Sequence, residues 1–201
     1  MIKTVLFDLG NVILPFDLTC LANQLARYTN FSPEIILEKI AYNQVAVDFE
    51  TGKMTPKEYF DFVTKACDFK DLSYTQFIVI FNDIFDQDHQ VWDLISRLKK
   101  NYKLGLISNT NPIHVDYIRS NHPQLDHFHH LWFSNEAGLR KPDHAIFKLA
   151  LTHFDADPAE TVFIDDYEEN IIGALELGIK ALHYKGFDKL KTDLHELGVQ
   201  H

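Results

Sequence analysis

The chain has 201 residues, 46% of them hydrophobic and 13% aromatic, with 29 Asp and Glu against 19 Lys and Arg for a formal net charge of −10. Such a composition belongs to a globular protein rather than a disordered one. A length between one and two domains of ~100–200 residues each can bury a core without help from a disulfide or structural metal. The acidic balance argues against nucleic acid and anionic lipid as partners, since both attract clusters of Lys and Arg.

In chain order, residues 2–8 form a short apolar run that closes on Asp8, with Gly10 just beyond. The run is too short for a signal peptide and reads as a buried strand. No stretch reaches the ~20 apolar residues of a membrane span. From Phe16 to Asp88 the signals are helical. Ser32-Pro33 starts one helix, and Thr55-Pro56-Lys57-Glu58 and Ser73-Tyr74-Thr75-Gln76 are capping boxes. Tyr59, Phe60, Phe62, Phe77, Phe81 and Phe85 recur at helical spacing and read as the core of this segment. Cys20 and Cys67 also fall in it, outside any Cys-x-x-Cys pattern. They are expected as buried, reduced thiols, which points to a cytoplasmic protein.

Beyond residue 88 the pattern changes to strand–helix alternation. Helices are expected over residues 90–99, 112–119, 144–154 and 170–177, the last closed by Gly178. Short apolar runs over 103–107, 130–133, 161–164 and 179–183 suit parallel strands covered on both faces. The fold class is therefore α/β: a doubly wound parallel sheet formed by residues 1–15 and 89–201, with a helical cap of residues 16–88 inserted after the first strand. His127-Phe128-His129-His130 lies at the amino end of a strand and reads as structural rather than as a transition-metal site. His201 ends the chain alone and is not a tag.

In open parallel sheets ligands bind beyond the carboxyl ends of the strands. The polar residues there are Asp8, Ser108-Asn109-Thr110 and Asp165-Asp166, with Lys141-Pro142 in a following loop. Clustered carboxylates repel one another unless a hard cation such as Mg²⁺ sits among them. A carboxylate can attack phosphorus, a hydroxyl and a helix N-terminus can donate to phosphate, and a lysine can hold nucleophile and phosphate together. The pattern suits phosphoryl transfer.

Val5-Leu6-Phe7-Asp8-Leu9-Gly10-Asn11-Val12-Ile13 resembles the first motif of the haloacid dehalogenase-like (HAD) hydrolase superfamily. Ile107-Ser108-Asn109-Thr110 resembles the second, and Gly138-Leu139-Arg140-Lys141-Pro142 the third. Val162-Phe163-Ile164-Asp165-Asp166, followed by Asn170, resembles the fourth. The wording is similar to the sugar-phosphatase branch that includes α-D-glucose-1-phosphate phosphatase. The resemblance implies Asp8 as nucleophile and Mg²⁺ ligand, with the Gly10 carbonyl, Asp165 and Asp166 completing the metal site. It implies Ser108 and Asn109 as phosphate-binding residues, with Lys141 holding both phosphate and nucleophile. The substrate implied is a small phosphorylated metabolite, a sugar phosphate in the family's terms, handled by a monomer or homodimer.

One departure stands out. Most phosphatases of the superfamily carry a second Asp two residues after the nucleophile, as general acid and base, and this chain has Gly10 there. General acid–base help is typically ~10²–10⁴-fold, so a slow phosphatase is expected. Asp17 is an alternative acid, or simply the cap of the next helix. Two rivals remain open: a 2-haloacid dehalogenase-type hydrolase and a catalytically weak ligand-binding member.

Overall fold

The computed structural model describes residues 1–86 and 90–200. The expected boundary between residues 88 and 89, and His201, lie outside the described residues. Strand β1 (Thr4–Phe7) is followed by five helices: α1 (Leu18–Leu25), α2 (Pro33–Ile40), α3 (Gln44–Glu50), α4 (Pro56–Ala66) and α5 (Tyr74–Asn82). The alternating part then runs α6 (Gln90–Leu98), β2 (Lys103–Ser108), α7 (Pro112–Asn121), β3 (His130–Phe133), a one-turn α8 (Ser134–Ala137) and α9 (His144–Phe154). It ends with β4 (Thr161–Asp165), α10 (Glu168–Leu175), β5 (Lys180–His183) and α11 (Phe187–Glu196).

The strands form one parallel sheet in the order β3-β2-β1-β4-β5. Phe7 is in register with Leu106 on one side and Ile164 on the other, so the three central strands end together. Side chains alternate between the faces. Val5, Phe7, Leu104, Leu106, Val162 and Ile164 pack with apolar residues of α6, α7 and α11. Leu6, Ile107 and Phe163 pack on the other face with α9 and α10. This double cover explains why the strands read as unbroken apolar runs.

The helices between β1 and α6 have their own core, in which Phe49 stacks on Tyr59 with ring centroids 4.1 Å apart. Tyr59, Phe60, Phe77 and Phe81 are buried as expected, while Phe62 and Phe85 are half-buried. Both capping boxes form, Thr55 with Glu58 and Ser73 with Gln76. An antiparallel bridge between Phe16 and Phe85 brings the two ends of this helical unit together. The unit meets the sheet layer in two places. Phe81 stacks on His114 of α7 at 4.6 Å, and Phe85 stacks on Tyr117 at 5.7 Å. On the other side Gly52, at φ +73°, lies so close to the Asn135 carbonyl that a Cβ would stand 2.2 Å from that oxygen, a contact open only to glycine.

Two expectations need correction, and one helix lies outside the expected elements. Cys20 is exposed on α1, because it falls on the solvent stripe of a helix that buries Leu21, Ala22 and Leu25; Cys67 is buried. Helix α10 starts two residues earlier than its apolar spacing suggested, since Glu168 and Glu169 occupy its first turn, where acidic residues favour the helix dipole. Helix α11 went unpredicted, although Leu190 and Leu194 are buried one turn apart. No helix among the described residues is long and apolar enough to cross a membrane.

Candidate active site

A cleft of about 560 Å³ opens where the central strands end beneath the helical unit. Its floor carries Asp8, Gly10, Ser108, Asn109, Lys141 and Asp166, and Asp165 stands behind Lys141. The structure thus brings all seven sequence-selected residues together. The reason is the register: Asp8, Ser108 and Asp165 continue or close strands that end at the same level.

Lys141 is the hub. It is 1% exposed, and its Nζ donates to Asp8 Oδ1 at 2.5 Å and to Asp165 Oδ2 at 2.6 Å. Asn109 fixes the loop that carries it, accepting from the Lys141 N–H and donating to its carbonyl, both at 2.9 Å. Asp165 is held on both oxygens. Its Oδ1 accepts from the Tyr167 N–H at 2.8 Å, and Asn170 Nδ2 donates to both oxygens at 3.0 Å. Asp166 carries one side-chain contact, from Asn11 Nδ2 at 3.2 Å, while its backbone carbonyl accepts from His183 Nε2 at 2.8 Å. Thr110 is tied to β3 through Ser134, which accepts from its N–H at 2.9 Å and donates to its carbonyl at 3.0 Å.

The electrostatics follow from burial. Burial, resisted by the Lys141 ammonium and assisted by the Asp165 charge, lifts the Asp8 carboxyl to about 7. Burial also raises Asp166, against the hydrogen bond from Asn11. Lys141 loses solvation too, yet Asp8 and Asp165 outweigh that loss and hold it above its ordinary value. Three carboxylates against one ammonium leave uncompensated negative charge in a poorly solvated place. Oxygens of Asp8, Asp165 and Asp166 lie within 4.8 Å of one another, the one such group of metal-ligating side chains among the described residues. A hard divalent cation such as Mg²⁺ fits this all-oxygen donor set.

Gly10 has a structural counterpart to its missing carboxylate. A Cβ built there would stand 2.8 Å from Cε1 of Phe16, so that ring occupies the space an aspartate would need. Asn11, at φ +54°, accepts from the Phe16 N–H at 3.3 Å while reaching Asp166. Asp17 caps α1, accepting from the Thr19 N–H at 2.7 Å and from its hydroxyl at 2.6 Å. Those bonds hold its pKa below the usual carboxylate range, the opposite of what a general acid needs.

Several cleft residues escaped the sequence reading. Asn11 had a signal, since Asn after a Gly favours a left-handed turn. Arg140 and Glu50 had none. They sit 90 positions apart, yet Arg140 Nη2 lies 3.1 Å from Glu50 Oε2 across the cleft. Burial raises the Glu50 pKa against the pull of Arg140. In the histidine-rich stretch, His129 Nδ1 accepts from the Leu104 N–H at 3.0 Å, and His130 packs on Trp132.

Several known proteins resemble this chain along most of its length. The chain is 27% identical over 190 residues to D-ribitol-5-phosphate phosphatase of Bacteroides thetaiotaomicron, covering 90% of each chain. It is 29% identical over 208 residues to glyceraldehyde 3-phosphate phosphatase of Pyrococcus abyssi, covering 92% of this chain and 82% of the other. Among solved structures, the HAD family enzyme BT-2542 of Bacteroides thetaiotaomicron, in complex with magnesium and inorganic phosphate, superposes with a TM-score of 0.83. That match has 29% identity and covers 94% of this chain and 99% of the other. The family model for haloacid dehalogenase-like hydrolases matches residues 2–178, and the chain belongs to that family.

Proposed function

We propose that this hydrolase is a Mg²⁺-dependent phosphatase of small phosphomonoesters, with a sugar or polyol phosphate as substrate and Asp8 as the nucleophile. The carrying observation is the Lys141 ammonium shared between Asp8 and Asp165, with Asp166 in the same cluster. The relatives named for ribitol 5-phosphate and glyceraldehyde 3-phosphate support the substrate class.

Asp8, Asp166 and the Gly10 carbonyl are the residues that would hold Mg²⁺, with Asp165 beside them. When bound there, the ion would supply positive charge to phosphate oxygens and lower the repulsion between phosphate and carboxylate. Ser108 and the Asn109–Thr110 backbone, at the approach to α7, bind phosphate oxygens. Lys141 favours the ionised form of Asp8 against burial and aims it, while Asp165 and Asn170 keep Lys141 in place. An Asp8 oxygen attacks phosphorus in line, the bond to the ester oxygen breaks, and the departing alkoxide takes a proton. Water then attacks the aspartyl phosphate and releases inorganic phosphate. With the Phe16 ring over Gly10, no carboxylate stands at the family's usual general-acid position, so the leaving oxygen draws its proton from solvent and turnover is slow. The helices between β1 and α6 act as the lid over the cleft, excluding bulk water during the first step.

The dehalogenase alternative attacks carbon without a metal and leaves the position of Asp166 beside Asp8 without a purpose. The deciding experiment follows phosphate release from a panel of sugar and polyol phosphates with Mg²⁺ and with excess chelator. Metal-dependent release that Asp8→Asn abolishes supports the proposal. Full activity of Asp8→Asn, or metal-independent halide release from a 2-chloro acid, would overturn it.

A further inference from the structure

His114 has a role that the phosphoryl-transfer chemistry does not use. It occupies the first turn of α7, where Asn111 caps the helix by accepting from the His114 N–H at 3.1 Å. That is about one helical turn, ~5 Å, beyond the Ser108–Thr110 loop. Its ring lies flat on Phe81 of the lid at 4.6 Å and meets the edge of Phe85 at 5.0 Å. It also lines the cleft. The imidazole is thus fixed by aromatic packing at the seam between lid and sheet.

Its hydrogen bonding is one-sided. Nδ1 lies 3.1 Å from Asn82 Oδ1, and Asn82 Nδ2 donates to the Ile78 carbonyl at 3.1 Å. With its NH₂ group used in that way, Asn82 presents an acceptor to the ring, so Nδ1 carries the hydrogen. The other nitrogen, Nε2, is then a bare acceptor, and no group among the described residues donates to it. Burial keeps the ring neutral, with its pKa lowered to about 3. The surrounding cleft wall is apolar, formed by Ile84, Phe85 and Ile118. A polar group built into such a wall costs desolvation unless something hydrogen-bonds to it.

We propose that His114 Nε2 is a specificity-determining acceptor that receives a hydrogen bond from a hydroxyl on the carbon chain of the substrate. This rests on the phosphomonoesterase reading above and narrows it: the cleft that holds Ser108 and Asn109 is the one His114 lines, within reach of the carbons that follow the phosphate. Asn82 is a positioning residue, setting the tautomer that leaves Nε2 free to accept.

The test compares two esters that differ only in hydroxyls, D-ribitol 5-phosphate and pentyl phosphate. The readout is the ratio of their kcat/KM values in wild type and in His114→Phe, which retains the ring stacking. The expected result is a fall in that ratio of about three- to tenfold, the usual worth of one neutral hydrogen bond, carried by KM. His114→Gln, whose amide can donate to Asn82 and still accept from a hydroxyl, restores part of it. Asn82→Leu lowers the ratio in the same direction while touching no substrate. Melting temperatures of each variant separate loss of folding from loss of discrimination. If wild type hydrolyses ribitol 5-phosphate and the ratio does not move in His114→Phe, this proposal fails alone. If wild type hydrolyses pentyl phosphate as well as any hydroxylated ester, the sugar-phosphate reading and this proposal fail together.

Discussion

The floor and the roof of the cleft are built by opposite means. The floor is held by hydrogen bonds and charge: Lys141, Asp8, Asp165, Asn170 and Asn109 are each fixed by named partners at 2.5–3.0 Å. The roof is held by packing, with Phe49 on Tyr59, Phe77 beside Phe81, and Phe81 against His114. A polar network tolerates little substitution because each group left unpaired in a buried place is costly. An aromatic layer has no such pairing to lose and tolerates change of contour more readily. On the proposed function the floor would supply the chemistry, and the roof together with the seam at His114 the choice of substrate.

The largest effect separating the two should come from Asp8→Asn. It removes the carboxylate proposed to attack but keeps the shape, so phosphate release should fall by at least about 10³-fold, with the fold intact by circular dichroism. Lys141→Met should lose comparable activity and also stability, about 3–5 kcal/mol, by leaving Asp8 and Asp165 buried without a cation. Denaturant unfolding with and without added Mg²⁺ would measure this, and the ion should offset part of the loss. Were Lys141→Met as stable as wild type without Mg²⁺, the floor would not depend on charge compensation as argued.

The roof should respond in the reverse order. Phe49→Ala deletes a side chain only 2% exposed and should cost about 3–5 kcal/mol of stability. In conditions where the variant stays folded, its kcat toward a small unspecific ester should change little compared with its KM for the preferred one. A fall in kcat alone would place Phe49 in the chemistry.

The smallest effect is a pH dependence at the seam. His114 has a folded-state pKa of about 3, below its ordinary value. Between the two values the unfolded chain binds a proton that the folded chain does not, so stability falls as pH drops through that window. The linked loss is about 1.4 kcal/mol per pH unit, or about 2 kcal/mol by pH 5. The difference in unfolding free energy between pH 7 and pH 5 should therefore be smaller in His114→Phe than in wild type.

Much of the floor was legible in the sequence. Asp8, Ser108 and Asp165-Asp166 each end an apolar run, and parallel strands in register must deliver such residues to one edge. Pro and capping residues marked helix starts at Pro33, Pro56, Tyr74 and Pro112 because those preferences act within a single turn. Even the departure at Gly10 was visible as a missing carboxylate. The tertiary structure alone decided what fills that space, the ring of Phe16, and that Asp17 caps a helix instead of serving the cleft. It alone paired Glu50 with Arg140 and Asn82 with His114, residues 90 and 32 positions apart. The division has a physical cause. Strand periodicity, turn chemistry and capping are local and leave their mark on neighbouring residues. The lid's contacts with the floor arise from packing two separately built layers, and no spacing along the chain records which side chains then meet.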